Sequence, residues 1–165
     1  AVIDSRPAGS ELVLLVKKIC ELIESGADFE TVVEKAELYS RHTHVVFALS
    51  SFNNLVKNGR MSKIVGFVAN KLGFWGIGIG SEQGTIEIKQ KIRGSKKALD
   101  AIIEDMKERG YNCGKVVISH CRNAEFAESV KSAIQSVWDK AEVKIVHARG
   151  LCSYYAEKGG LIIGF

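Results

Sequence analysis

The chain has 165 residues, of which 46% are hydrophobic and 25% charged, and its formal net charge is +4. This length is enough to bury a core, and the composition is that of an ordinary globular protein. The charge is too mild for a dedicated nucleic-acid binder, and no apolar run approaches the roughly 20 residues that span a bilayer. The four cysteines lack the paired spacing of a zinc site or a disulfide framework, so we expect reduced thiols in a soluble, cytoplasmic protein without a metal.

The first 50 residues predict two helices followed by a strand. Ser10 precedes apolar residues at helical spacing, so it is expected to cap a helix that ends at Gly26. Cys20 lies on the apolar side of that helix and is expected to be buried. Asp28 is expected to cap a second helix. Residues 44–49 form a short apolar run rich in β-forming side chains, which predicts a buried strand.

The next stretch predicts two helices joined by a tight corner. Residues 51–58 predict a short helix that ends at Gly59, and Ser62 is expected to cap the helix that follows. Arg60 stands directly after the glycine, beside an apolar helix. A cation fixed on a turn next to an apolar element suits an amphiphile with an anionic head, although such a corner is also an ordinary turn with a solvated arginine.

The hydrophobic period changes to two over residues 74–92, which predicts an antiparallel hairpin with one wet face. Ile77 and Ile79 point to one side of it. The alternating glycines Gly76, Gly78 and Gly80 leave room for a close neighbour on the other side, either a helix or an acyl chain.

The remainder predicts a helix capped by Ser95, a helix over residues 126–138, and three further strands. The segment 150–160 is expected to be a polar, aromatic loop, in which the Tyr154 and Tyr155 hydroxyls can donate to an oxyanion. Together these elements predict an α/β fold, a layered domain with a mixed sheet and an antiparallel hairpin covered by helices. The expected strands are 115–119, 143–146 and 161–165.

Two candidate reactive features are weak. His120 and Cys121 are neighbours on a strand and point to opposite faces, so the imidazole is expected to make a local hydrogen bond instead of activating the thiol. The cations of residues 89–97 could contact phosphates, but no aromatic side chain is interleaved for base stacking, which favours a solvated face.

Residues 2–5, 58–63 and 92–99, with the helix pair between the first two, resemble the DegV family of bacterial fatty-acid-binding proteins. Some members of that family serve as the lipid-carrying subunit of a fatty-acid kinase. The resemblance covers essentially the whole chain and begins well inside the family's length. It implies that residues 1–43 end an N-terminal α/β lobe and that residues 44–165 form a DegV-like C-terminal lipid-binding domain.

The function implied by this resemblance is that of a carrier, with a fatty acid as ligand, no cofactor and no chemistry of its own. The carrier would bury the acyl chain and present the carboxylate to a fatty-acid kinase partner. The resemblance places Arg60 at the ligand mouth and the kinase-docking surface, and Arg93 is a second candidate for partner contact. Tyr155 stands where many members carry a histidine, so Tyr154 and Tyr155 are the candidates for contact with the head group. The expected wall of the acyl tunnel includes Ile64, Phe67, Val68, Ile77 and Ile79, and Ser62 is a further candidate for ligand binding.

Two alternative functions stay open. One is an enzyme that acts on a small anionic substrate through Arg60 and Tyr155, although the sequence offers no general base or nucleophile in a credible arrangement. The other is a nucleic-acid-binding module that uses the cations of residues 89–97.

Overall fold

The structure, a computed structural model, describes residues 1–4, 9–61, 73–81 and 86–165. Six helices and six strands are interspersed along these described residues. The described helices are α1 (Ser10–Glu24), α2 (Phe29–His42), α3 (Asn53–Lys57), α4 (Ser95–Glu108), α5 (Ala124–Val137) and α6 (Gly150–Ala156). The described strands are β1 (Val45–Leu49), β2 (Phe74–Gly80), β3 (Ile86–Arg93), β4 (Lys115–His120), β5 (Glu142–His147) and β6 (Leu161–Gly164).

These six strands form one sheet in the order β3-β2-β1-β6-β4-β5. Only β4 and β5 run parallel, and the other four neighbouring pairs are antiparallel. β6 comes last along the chain but lies between β1 and β4. The prediction of a mixed α/β sheet that includes an antiparallel hairpin is therefore confirmed.

One face of the sheet is covered by α4 and α5, which form the main core with it. The helices contribute side chains at helical spacing, and every second residue of the strands points toward them, as the two periodicities require. The fully buried members of this core include Val46, Ile77, Ile102, Met106, Val116, Ile118, Ile134, Leu161 and Ile163.

The opposite face carries α1, α3 and α6. α1 packs on β4 and β6, and α2 packs against α1. α1 approaches β6 so closely that a Cβ atom at Gly164 would lie 2.5 Å from the backbone nitrogen of Glu11. A second, smaller core forms on this face between β1, α3 and α6, from Phe47, Leu49, Phe52, Leu55 and Ala156.

The predicted helix caps are only partly confirmed. Asp28 caps α2, because its Oδ1 accepts a hydrogen bond from the backbone N–H of Thr31 at 2.7 Å. The predictions for Ser10 and Ser95 are wrong, since glycines occupy the N-cap positions of α1 and α4. Ser10 is instead buried, and its hydroxyl donates to the carbonyl of Ile162 at 2.6 Å, which ties α1 to the sheet.

Two further predictions need correction. Residues 150–156 form the helix α6 where a loop was expected. Cys20 is exposed, because α1 has apolar residues around much of its circumference and buries only the side that faces the sheet. Among the described helices, none combines the length and the apolar character needed to cross a membrane.

Candidate functional site

A cavity of about 600 Å³ lies on the sheet face that carries α1, α3 and α6. We call it the sheet-face cavity. Its walls are largely apolar, with polar side chains toward both ends, and its size lies within the range usual for small-molecule sites. The apolar lining comes from Val45, Phe47, Leu49, Leu55, Ile86, Leu151, Ala156 and Ile162.

The alternating glycines of β2 make this face of the sheet close-packed. A Cβ atom at Gly76 would collide with the ring of Phe52, and one at Gly78 would lie 2.5 Å from Cζ of Phe47. Both phenyl rings therefore occupy space that ordinary side chains would fill. The close neighbours of Gly76 and Gly78 are the protein's own aromatic side chains, and the cavity lies among these and the neighbouring residues.

One end of the cavity is formed where α3 meets α6, and we call it the α3–α6 corner. Gly59 and Arg60 follow α3 and line the cavity there, as does Tyr155 of α6. Two asparagine side chains of the α3 segment hold α6 in place. Asn54 Nδ2 donates to the carbonyl oxygen of Tyr154 at 2.8 Å. Asn58 Nδ2 contacts the hydroxyl of the same tyrosine at 2.9 Å.

Glu157 completes this connection. Its Oε2 accepts a hydrogen bond from Ser51 Oγ at 2.6 Å, and its Oε1 accepts one from the backbone N–H of Asn54 at 2.8 Å. The carboxylate thus binds the N-terminal end of α3, where backbone N–H groups lack helical partners. Glu157 has φ +53°, a left-handed conformation that usually favours glycine. Its two hydrogen bonds explain why a glutamate occupies this position.

The other end of the cavity, which we call the polar end, contains a buried carboxyl group. Glu11 is 5% exposed, and its Oε1 accepts a hydrogen bond from Thr43 Oγ1 at 2.7 Å. Burial raises the pKa of Glu11, while the Thr43 hydrogen bond and the charge of Arg109 act in the opposite direction. His44 also lines this end, and burial lowers its pKa. The polar end therefore combines a carboxyl group and an imidazole, whose charged forms burial disfavours, with the cations Arg41 and Arg109, which also line the cavity.

The chain matches the DegV family of uncharacterised proteins over residues 1–165. The chain belongs to the DegV family. A DegV domain-containing protein of Streptococcus pyogenes serotype M1 is 43% identical over 164 residues, which are 99% of this chain and 59% of that protein. The chain therefore spans about three fifths of the length of this relative.

Solved DegV structures match the fold closely. The fatty acid kinase B3 protein of Streptococcus pneumoniae, loaded with linoleic acid, superposes with a TM-score of 0.96 at 42% identity, over 100% of this chain and 59% of that one. A DegV family protein from Eubacterium eligens, loaded with heptadecanoic acid, has a TM-score of 0.96 at 36% identity, over 99% of this chain and 59% of that one. The predicted DegV resemblance and the predicted fold are confirmed.

The residues predicted from the DegV resemblance lie in different parts of the structure. Arg60 and Tyr155 both line the sheet-face cavity, and Tyr154 lies at the α3–α6 corner with 44% of its surface exposed. Arg93 is exposed on β3, near the ring of Phe74 and away from the residues that line the cavity. The expected sites Ser62, Ile64, Phe67 and Val68 lie outside the described residues.

Ile77 and Ile79 do not wall the cavity. Ile77 belongs to the main core beneath α4 and α5, and Ile79 shares its face because the two residues stand two apart on one strand. A hairpin pattern marks a buried face without showing which layer covers it, and here the layer over Ile77 consists of α4 and α5. Phe47, Ile86 and Ile162 take the expected place on the cavity side.

Two important residues were not recognised from the sequence. Glu11 reads as a solvent-facing charge in the first turn of a helix, and only the packing of α1 on β6 buries it. Glu157 stands in the segment that was predicted to be a loop, where nothing in the local sequence distinguishes it from a solvated glutamate. The role predicted for His120 is closer to the structure, because its Nδ1 accepts a local hydrogen bond from the backbone N–H of Asn123 at 3.1 Å. Among the described residues, no group of three or more metal-ligating side chains is found.

Proposed function

We propose that this protein is a fatty-acid-binding carrier that buries an acyl chain in the sheet-face cavity. The observation that carries the proposal is the juxtaposition of an apolar wall with Arg60 and Tyr155 at one end of the same cavity. A carboxylate at the α3–α6 corner would meet a cation and a phenol, while its hydrocarbon would run along Phe47 and Leu49. The fatty acids named for two similar DegV structures support this assignment.

The affinity of such a carrier comes mainly from the hydrocarbon. Each buried methylene contributes about 0.8 kcal/mol, so a long chain gains on the order of 10 kcal/mol before the costs of association. The polar groups at the α3–α6 corner then fix the orientation of the ligand, with its carboxylate at that corner.

A partner kinase follows from the same arrangement. A carboxylate held at an open corner is accessible to a second protein, and the similar Streptococcus pneumoniae protein carries the name of a fatty acid kinase component. In this proposal Arg60 contacts both ligand and kinase, Arg93 contributes to kinase docking, and the carrier performs no chemistry itself. Its place of action is the cytoplasm.

The division of the chain into two parts also belongs to the proposal. We assign residues 1–43 to the end of an N-terminal lobe and residues 44–165 to the lipid-binding domain. The inner side of α1 packs on β4 and β6 of the lipid-binding domain, whereas the apolar side chains of its outer side stay partly exposed and are available for contact with the rest of the N-terminal lobe. The exposed apolar residues of α1 are Leu12, Val13, Val16 and Ile23.

The alternative of nucleic-acid binding has less support. Lys89, the first cation of the basic run, forms an ion pair with Glu87 at 3.2 Å, which reduces the local positive field. The enzymatic alternative depends on the same Arg60 and Tyr155 that the carrier uses. Turnover of a small anionic substrate by the purified protein alone would favour that alternative.

Lipid extraction from the purified full-length protein tests the proposal. We expect mass spectrometry to detect a stoichiometric fatty acid and the emptied protein to gain thermal stability when one is added back. Leu55→Asp places a charge in the apolar wall and should abolish both signals, whereas Leu38→Ala, at an exposed position of α2 that does not line the cavity, should retain them. A lipid-free protein that shows no thermal shift with saturating fatty acid would contradict the carrier function.

A further inference from the structure

The polar end of the sheet-face cavity is unusual for a site that holds only hydrocarbon. β1 runs from Val45, beside Glu11 and Thr43, to Leu49, beside the α3–α6 corner. The strand rise of roughly 3.3 Å per residue separates these ends by roughly 13 Å. An acyl chain whose carboxylate stays at Arg60 would therefore bring part of its own length to the Glu11 carboxyl group.

A methylene chain cannot satisfy that carboxyl group. Glu11 is almost completely buried, and a buried carboxyl group that faces only hydrocarbon loses the solvation it would have in water. Thr43 supplies one hydrogen bond to Oε1. Because Glu11 also lines the cavity, a ligand that carries a hydroxyl group at this depth could supply another.

We propose that the carboxyl group of Glu11 is a recognition site for a hydroxyl group borne within the acyl chain. The ligand class that this site favours is a long-chain hydroxy fatty acid. This inference rests on the carrier function proposed above and specifies its substrate. Sites built to hydrogen-bond a substrate hydroxyl discriminate against analogues that lack it, because their buried polar groups are then left unpaired.

The experiment compares octadecanoic acid with a series of hydroxyoctadecanoic acids in which the hydroxyl position moves along the chain. Affinities are measured by competition on the delipidated full-length protein. We expect one mid-chain hydroxy isomer to bind roughly tenfold more tightly than octadecanoic acid, as one additional hydrogen bond to a carboxyl group implies. Equal affinities for all the acids would overturn the inference and leave the carrier function intact, whereas failure of every acid to bind would overturn both.

Three variants assign the preference to particular atoms. Glu11→Leu should remove the preference for the hydroxy acid while octadecanoic acid still binds. Thr43→Val removes the competing donor, so it should increase that preference. Glu24→Leu, an exposed position on the same helix, should bind both acids as the wild type does.

Two results with these variants would overturn the inference. One is an unchanged preference in Glu11→Leu. The other is a folded Thr43→Val protein whose preference for the hydroxy acid is no greater than that of the wild type. This second result is decisive even if Glu11→Leu fails to fold.

Discussion

At the scale of single residues, Arg60 is the side chain on which the carrier proposal depends most directly. It is exposed, follows the turn at Gly59, and lines the cavity beside Tyr155. The sequence predicted both Arg60 and Tyr155 as site residues, because a cation after a turn glycine and a phenol between two strands are local features and the DegV resemblance implies ligand contacts at both. What the sequence could not supply is their shared position, which depends on the packing of α3 against α6.

We expect Arg60→Ala to reduce phosphorylation of the bound fatty acid by its kinase at least tenfold while the protein stays folded. The reason is that the substitution removes the cation at the head-group end and leaves the apolar wall intact. Acyl phosphate formation in a reconstituted assay measures the effect. Lys57→Ala is the matched control, since it removes an exposed cation of α3 that does not line the cavity. Full activity of Arg60→Ala would remove the proposed role.

Glu157 offers a second test at this scale, because its strain and its hydrogen bonds can be separated. Glu157→Ala loses both hydrogen bonds and keeps the left-handed φ, so we expect it to lower the free energy of unfolding by roughly 2–3 kcal/mol. Glu157→Gly loses the same bonds but relieves the strain, so it should be about 1 kcal/mol more stable than Glu157→Ala.

Urea denaturation of the full-length protein, followed by tryptophan fluorescence, measures both values. Lys158→Ala is the control, because Lys158 is exposed and adjoins the same turn. If Glu157→Ala is as stable as the wild type, the carboxylate does not hold α3 and α6 together.

At the scale of elements, the strands and the longer helices followed from periodicity, whereas α6 did not. α6 has seven residues, begins at a glycine and lacks a side-chain cap, so its sequence carries little helical signal. Its position depends on contacts with residues distant in sequence, among them Asn54, which binds both Tyr154 and the C-cap residue Glu157. Local sequence alone therefore predicts a loop here.

The glycines of β2 give a prediction at the same scale. A Cβ atom at Gly78 would clash with the backbone carbonyl of Glu87 and the ring of Phe47, whereas one at Gly80 would lie 3.1 Å from Val45 Cγ1. We expect Gly78→Ala to destabilise the protein by roughly 1–3 kcal/mol, as overpacking does, and Gly80→Ala to cost less. Thermal unfolding of the two variants measures the difference. Equal stability of the two would show that both the Phe47 ring and the backbone of β3 at Glu87 move away from β2.

At the scale of the whole molecule, the buried carboxyl group of Glu11 links stability to pH. Burial raises its pKa in the folded state above the value of an unfolded chain, about 4.3. The folded protein therefore binds this proton more tightly than the unfolded chain does, and the resulting contribution to stability is complete below the unfolded pKa and is lost as the pH rises through the folded pKa. Glu11→Gln cannot titrate there and should lack this dependence.

Urea titrations of the wild type and Glu11→Gln across the acidic range test this prediction. The free energy of unfolding of the wild type, relative to that of the variant, should fall as the pH rises from about 4.3. A difference that stays constant, or that grows with pH, would show that the carboxyl group is not held in a desolvated site.

The position of β6 has a consequence for how the protein reaches its native state. β1 and β4 are both apolar, run in the same direction, and are joined only through β6 among the described strands. Until β6 has been synthesised, each of them has an open edge that can pair with the other or with another molecule. If β1 and β4 pair directly in the nascent chain, β6 can no longer insert between them. This topology therefore favours folding in which β1–β3 and β4–β5 stay apart until β6 has been synthesised.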